Sequence, residues 1–112
     1  MTIDTLIIFT RFGMGVAPAE LQQKLAKTFL SVLPADGLPG AIAFYGEGVK
    51  LCCNGSPVIE QLQVIAAAGV PLILCQTCLD YFALRSSVRV GVGGGMGDIM
   101  AAMSRASKVI SV

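Results

Sequence analysis

The sequence predicts an α/β domain with a mostly parallel sheet of about five strands, joined by right-handed crossovers. Short apolar runs, typical of strands covered on both faces, alternate with longer segments of helical periodicity. Glycine and proline mark most junctions between these segments. A chain of 112 residues can bury one hydrophobic core, so we expect a single domain over residues 1–112.

The first predicted strand is the uninterrupted apolar run from Thr5 to Thr10, and a glycine turn containing Gly13 and Gly15 follows it. The next segment has the periodicity of an amphipathic helix, and Pro18 suits its first turn. We expect this helix to end before Pro34. Its apolar face is predicted to contain Leu21, Leu25, Phe29 and Val32.

The second predicted strand, Ala41 to Tyr45, is broken by glycines and followed by a loop from Lys50 to Gly55. A second helix begins at Ser56-Pro57, because serine caps helices and proline suits the first helical position. Gly69 and Pro71 end this helix. Its apolar stripe contains Val58, Leu62 and Ile65.

The third predicted strand, Pro71 to Leu74, leads directly into Cys75-Gln76-Thr77-Cys78. A short helical segment, Leu79 to Leu84, and a brief strand, Val88 to Val90, follow. The last predicted strand is Val109 to Val112. Strands and helices that alternate along the chain in this way are typical of a parallel sheet.

The stretch from Gly91 to Gly97 holds five glycines and is expected to form a loop before a helix from Asp98 to Met103. Its N–H groups could face an anion. The stretch matches neither GxGxxG nor a P-loop, because Met96 occupies the third glycine position and no Gly-Lys-Ser or Gly-Lys-Thr ends it. A nucleotide site remains an alternative to a flexible loop.

The Cys75 and Cys78 pair places a dithiol where a strand ends and a helix begins. Unpaired N–H groups and the helix dipole favour thiolate over thiol at such a junction. A thiolate attacks disulfides and persulfides, and a second thiol within one turn can resolve what the first has captured. We therefore predict that Cys75 is the most acidic thiol and that Cys78 resolves its adduct.

Two other interpretations of the CxxC motif remain open. CxxC is half of a structural zinc site, although the chain has no second such pair and no histidine. Free cysteine also packs as a small hydrophobic residue. The lack of histidine excludes a Ser-His or Cys-His nucleophilic pair, and no metal or cofactor is predicted.

Ligands of parallel α/β sheets bind beyond the carboxyl ends of the strands, and every unusual loop of this chain is predicted to lie there. Lys50 at this edge would stabilise a thiolate or an anionic substrate, and Cys52 or Cys53 could act as a further acceptor thiol. The predicted catalytic residues are Cys75 and Cys78, and the predicted substrate-binding residues are Gly13, Gly15, Lys50, Cys52, Cys53 and Thr77.

Charge and composition restrict the partners of the chain. A net charge of +1, without a basic run or aromatic platform, predicts no nucleic-acid binding. Hydrophobic residues make up 54% and charged residues 13%, which predicts a homo-oligomer with an apolar interface in which Met100 and Met103 take part. No membrane span or basic leader is predicted, so we expect a cytoplasmic protein with cysteines present as thiols.

The segment from Cys75 to Phe82, CQTCLDYF, resembles the YedF branch of the DsrE/DsrF/TusD-type sulfurtransferase-like family, whose corresponding pattern is close to CGTCLDYY. The segments Gly48 to Leu51 and Lys108 to Ile110 resemble the second loop and the ending of that family. Cys52-Cys53 departs from the pattern, which usually has Thr or similar residues there.

This resemblance implies a three-layer α/β/α, flavodoxin-like domain, frequent homo-oligomers, and Cys75 as the persulfide carrier. The branch is associated with selenium metabolism, and many members carry an N-terminal TusA-like domain. We expect no such domain here, so sulfur or selenium donor and acceptor proteins, such as a separate TusA-like protein, would be partners. The predicted function is a sulfur relay. A non-catalytic interaction or regulatory subunit and a small-ligand-binding module are the alternatives.

Overall fold

The computed structural model describes residues 1–112, which form one five-stranded parallel sheet with helices. The strands are β1 (Thr5–Phe9), β2 (Ala41–Phe44), β3 (Leu72–Cys75), β4 (Val92–Gly94) and β5 (Lys108–Ser111). The helices are α1 (Ala19–Asp36), α2 (Ile59–Ala67), α3 (Gln76–Tyr81) and α4 (Met96–Arg105). Two 3₁₀ helices cover Gly46–Cys52, called the long 3₁₀ helix below, and Arg85–Ser87.

The strand order is β4-β3-β2-β1-β5, and every neighbouring pair is parallel. The chain steps outward from β1 to β4 and then crosses the whole sheet to reach β5. Right-handed connections therefore put α1 and α2 on one face, where they pack together, and α4 on the other face against β3 and β4. The predicted α/β class is confirmed. The order, which the sequence left open, differs from the 2-1-3-4-5 order of flavodoxin.

The core lies around the central strands. All five residues of β1 are buried, as expected for an apolar strand covered on both faces. Phe9 at the end of β1 stacks on Phe44 at the end of β2, with 5.6 Å between ring centroids. The ring of Phe29 from α1 meets Phe9 edge-on at 6.2 Å. These aromatic contacts fix the carboxyl ends of β1 and β2 beside each other.

Helix α1 differs from its prediction in its end and in its buried face. It continues to Asp36, because Pro34 lies in the last turn, where a proline removes only one hydrogen bond. The predicted apolar face is mostly exposed, because the helix is rotated so that the small Ala26 comes close to its neighbours. The residues buried instead are Ala26, Leu30 and Leu33, whereas Leu21, Leu25 and Val32 are exposed.

The strand predicted at Val88–Val90 lies outside the sheet. Val88 forms an isolated antiparallel bridge with Cys53, and the N–H of Arg89 donates to the carbonyl of Cys52 at 2.8 Å. These bonds hold the extended segment against Cys52 and Cys53, away from the sheet. The fourth strand therefore forms further along the chain, inside the glycine-rich stretch. The prediction of a strand at Val88–Val90 and of a loop from Gly91 to Gly97 was therefore wrong.

Glycine makes this edge strand possible. Gly91 turns the chain into the sheet with a φ of 86°, which other residues rarely adopt. A Cβ at Gly94 would come within 2.9 Å of Ile73 Cγ2 on the adjacent strand. The lack of space beside β3 thus explains glycines that were predicted to form a flexible loop.

Two further boundaries were predicted incorrectly. Helix α3 begins at Gln76 rather than at Leu79, so the second cysteine of CxxC lies inside it. Much of the loop predicted from Lys50 to Gly55 belongs to the long 3₁₀ helix. None of the helices has the length and apolar character needed to cross a membrane.

Alanine at Gly48 should destabilise the fold, because its Cβ would overlap the backbone of Phe9. We expect Gly48→Ala to lower the free energy of unfolding by about 1–3 kcal/mol, the usual cost of overpacking. Gly97→Ala is the matched control, since α4 leaves open space there, and it should be neutral or stabilising by up to about 1 kcal/mol. Urea unfolding followed by circular dichroism measures both, and equal midpoints would contradict this account of Gly48.

Candidate functional site

The two cysteines of CxxC lie at the carboxyl end of β3. Cys75 is the last residue of that strand and the N-cap of α3, to which its side chain gives no capping hydrogen bond. Only 1% of Cys75 is exposed, whereas Cys78, in the first turns of α3, is half-buried. Thr77 between them is exposed. The dithiol therefore has one buried and one more accessible sulfur.

A backbone N–H from the neighbouring strand end points at this dithiol. Gly46 begins the long 3₁₀ helix directly after β2, and its N–H donates to Cys78 Sγ across 3.1 Å. Gly46 has a φ of 59°, in the left-handed region that favours glycine. The carboxyl ends of adjacent parallel strands thus bring the donor and the sulfur together. From the sequence, Gly46 is predicted only to break the second strand, and no local pattern indicates this contact.

The surroundings of Cys78 hold its proton in place. Burial raises the pKa of the Cys78 thiol, and the Gly46 N–H opposes this shift by favouring the thiolate. The Cys75 side chain raises the pKa of Cys78 further, through a hydrogen bond and through charge repulsion. Cys78 is therefore a protonated thiol near neutral pH, three residues from Cys75.

Lys50 stands beside the helix that carries CxxC. Its Nζ lies 4.4 Å from the ring centroid of Phe82 and 3.5 Å from Glu47 Oε2. Phe82 follows α3, and its N–H donates to the carbonyl of Cys78 at 3.1 Å. A positive charge is thus held at the C-terminal end of α3, one turn beyond Cys78. Phe82 was not among the predicted site residues, since nothing in its sequence context indicated the contact with Lys50.

Cys52 and Cys53 are both buried, with 0% and 1% of their surfaces exposed. The Cys53 S–H donates to the carbonyl of Val49 at 3.3 Å. Burial raises the pKa of Cys53, and burial followed by repulsion from Cys53 raises that of Cys52 well above its ordinary value. Neither thiol is presented at the surface. The four cysteines do not make a common ligand group, and no three Cys, Asp or Glu side chains lie together as a metal site would require.

The glycine turn after β1 is tied to α1 rather than to the cysteines. The carbonyl of Gly15 accepts Arg11 Nη1 at 2.9 Å and Gln22 Nε2 at 2.8 Å. A Cβ at Gly13 would lie 2.5 Å from Gln22 Cβ, so that glycine permits the turn to pack on the helix. No hydrogen bond joins the turn to CxxC. Gly13 and Gly15 therefore shape the edge without contacting the dithiol.

The glycine-rich stretch does not leave an open anion site. The N–H of Gly95, the N-cap of α4, donates to Asp98 Oδ2 at 2.9 Å, so the Asp98 carboxylate caps the start of this helix. This carboxylate places a negative charge where a phosphate would have to bind. The nucleotide alternative therefore loses the feature on which it rested.

Comparisons with known proteins agree with the fold. A family model described as the DsrE/DsrF-like family matches residues 12–112, whereas no curated protein sequence matches the chain. Among solved structures, a protein of unknown function from Methanobacterium thermoautotrophicum is 16% identical, with a TM-score of 0.71 over 96% of this chain and 97% of its own. The ychN protein from E. coli is 17% identical, with a TM-score of 0.68 over 96% of this chain and 98% of its own.

A third similar structure is a conserved protein of unknown function from Bacteroides thetaiotaomicron. It is 20% identical, with a TM-score of 0.67 over 97% of this chain and 95% of its own. At such identities the likeness of the three structures establishes a shared fold and carries no function.

The buried thiols should make stability fall in alkaline solution. Unfolded cysteine loses its proton near pH 9.0, whereas folded Cys52 has a raised pKa and stays protonated. Its contribution is therefore fully present below the unfolded value and is lost as the pH rises through the folded value. We expect Cys52→Ala to be less stable at about pH 8 but to lose less stability by about pH 10 than the parent chain.

Urea unfolding at both pH values measures this difference. Val49→Ala, which truncates an equally buried residue of the same 3₁₀ helix without removing a thiol, is the matched control and should follow the pH dependence of the parent. Parallel curves for all three proteins would contradict the assignment to Cys52.

Proposed function

Because the chain belongs to the DsrE/DsrF-like family, we propose that it relays sulfane sulfur as a persulfide on Cys75, with Cys78 as the resolving thiol. The observation that carries the proposal is the dithiol at the carboxyl end of β3, with the Gly46 N–H donating to Cys78 Sγ at 3.1 Å. The Cys78 thiol, which accepts this N–H and lies three residues from the carrier cysteine, is suited to stabilise the negative charge that moves during sulfur transfer.

Loading requires only an exchange of S–S bonds. The Cys75 thiolate attacks the terminal sulfur of a donor persulfide, a new S–S bond forms on Cys75, and the donor leaves as a thiolate. In the forward transfer, an acceptor thiolate attacks the terminal sulfur and Cys75 leaves as the thiolate. No oxidant or reductant is consumed in either step. Each time Cys75 leaves as a thiolate, the Cys78 S–H can donate a hydrogen bond to the Cys75 sulfur.

Cys78 also offers a second outcome. If its thiolate attacks Cys75 Sγ of the persulfide, a Cys75–Cys78 disulfide forms and hydrosulfide leaves. A dithiol reductant must then restore the two thiols. The raised pKa of Cys78 slows this resolving reaction near neutral pH, because the attacking form is the thiolate, so Cys78 resolves only a persulfide that no acceptor has discharged. The arrangement thus supports transfer of sulfur to an acceptor in preference to its release as sulfide.

The burial of Cys75 favours one competing function. With 1% of its surface exposed, Cys75 can be loaded only if the short helix α3 moves aside when a donor docks. A non-catalytic subunit of the same fold would have no need for this motion. In that alternative the cysteines are structural, and blocking them has no functional effect.

The sequence of the CxxC segment bears on the branch of the family and on the partners of the chain. We propose that the chain belongs to the YedF branch, because CQTCLDYF matches the pattern of that branch closely, and that selenium can replace the carried sulfur. The donor and the acceptor are then separate proteins, such as a TusA-like donor. The relay operates in the cytoplasm, where free thiols persist.

Persulfide loading should depend on Cys75 alone. After incubation with a persulfide donor, we expect the parent chain and Cys78→Ser to gain about 32 Da per sulfur atom, reversibly with reductant, and Cys75→Ser to gain nothing. Cys53→Ser is the matched control, since its buried thiol lies outside the dithiol, and it should load normally. Intact mass spectrometry measures each protein. A gain that persists in Cys75→Ser, or no gain in the parent, would refute the relay.

We also propose that the chain forms a homo-oligomer through α4. This helix buries Ile99 and Ala102 in the core, while Met96 and Met100 stay 47% and 59% exposed. Met103 packs against the core, so it does not belong to the proposed interface. Exposed methionines on one helical face suit an adaptable apolar contact.

Light scattering at low micromolar concentration should give a mass above the 11.6 kDa of one chain. Met100→Glu should yield a smaller, folded species, because a charge is costly to bury in an apolar interface. Val64→Glu is the matched control, since Val64 is 60% exposed on α2, and it should leave the oligomer intact. A monomeric parent would exclude the oligomer, and dissociation by Val64→Glu alone would move the interface to α2.

A further inference from the structure

A cavity of about 370 Å³ opens beside the dithiol helix, at the carboxyl edge of the sheet. Its volume is within the range of small-molecule sites. Apolar side chains from separate segments line it, namely Phe12 after β1 and Phe82 and Leu84 after α3. All three are half-buried and pack against the hydrophobic core. The apolar walls of this open cavity are therefore anchored to the core of the domain.

The charged side chain that lines this cavity is Lys50, and the lining contains no carboxylate. Lys50 Nζ lies 4.4 Å from the Phe82 ring centroid, which keeps the ammonium group at the wall. Glu47, at 3.5 Å, is its present partner, and the Glu47 side chain is 59% exposed. An exposed ion pair of this kind is weak, so a bound anion can replace Glu47 at little cost.

The other polar groups of the lining are already committed. The Cys53 S–H donates to the carbonyl of Val49, so it is not free to donate to a ligand. Arg89 Nη1 donates to Asn54 Oδ1 at 3.4 Å, so the amide NH₂ of Asn54 is its remaining polar group. Since an NH₂ group only donates, the free polar groups of the lining are a cation and a donor. Both favour an acceptor that carries negative charge.

We propose that this cavity binds a small organic anion, with the apolar part of the ligand between Phe12, Phe82 and Leu84 and its anionic group on Lys50. Carboxylates and sulfonates with a compact hydrocarbon body have this chemistry. The site involves no reaction at sulfur, so it is independent of the proposed relay. A ligand bound there would nevertheless contact Phe82, whose N–H donates to the carbonyl of Cys78.

Phenylbutyrate and its uncharged amide, phenylbutyramide, are suitable probes because they share one hydrocarbon body. Titration of the full chain, followed by backbone amide NMR shifts, should show saturable changes centred on Phe12, Lys50 and Phe82. We expect the acid to bind about fivefold more tightly than the amide. Lys50→Met should abolish this preference, and Lys50→Arg, which keeps the charge, should restore most of it.

Lys24→Met is the matched control. Like Lys50, Lys24 forms an ion pair with a nearby glutamate, but it lies on the exposed face of α1. Its affinity for phenylbutyrate should equal that of the parent. Equal affinity of acid and amide, unsaturable shifts spread over the exposed residues of α4, or an equal loss in Lys24→Met would overturn the proposal. The titration contains no sulfur donor, so a chain that fails to form a persulfide can still pass this test, and the converse also holds.

Discussion

The close approach of the long 3₁₀ helix to the end of β1 is the constraint on which the functional edge depends. At Gly48 the backbone of this helix lies against the carbonyl of Phe9, with no room for a side chain. That contact fixes where the rest of the helix lies. The first residue of the helix then contacts Cys78, its lysine contacts Phe82, and Cys53, directly after its last turn, lies in the cavity wall. One glycine thus positions groups from three different segments of the chain.

Burial of the four cysteines opposes their reactivity. Burial in an apolar environment disfavours the thiolate, which is the reactive form of cysteine. At Cys52 and Cys53 burial is the largest effect on the pKa, and the two thiols behave as core residues. At Cys78 a backbone N–H offsets part of it. Cys52 and Cys53 therefore serve packing, whereas Cys75 and Cys78 are suited to reaction, although all four residues lie in the same small domain.

Local sequence patterns were sufficient for the central strands and for the place of CxxC, because continuous apolar runs are properties of short segments. They were insufficient where a distant partner decides the outcome. Strand β4 has almost no apolar pattern and depends on space left beside Ile73, and the face of α1 that is buried depends on how closely Ala26 approaches its neighbours. The bond from Gly46 to Cys78 joins residues 32 positions apart, so no local pattern could indicate it.

The shortness of β4 has a consequence for how the molecule meets other proteins. A free sheet edge is a template on which strands of other chains can add, and long, flat edges promote aggregation. This edge has only three residues, two of them glycines, and therefore offers few backbone groups and little side-chain surface to a further strand. The opposite edge, β5, begins with Lys108, a charge that discourages strand addition. Both edges of the sheet are thus poor templates for an added strand, which leaves the helices and loops as the better surfaces for contacts with other proteins.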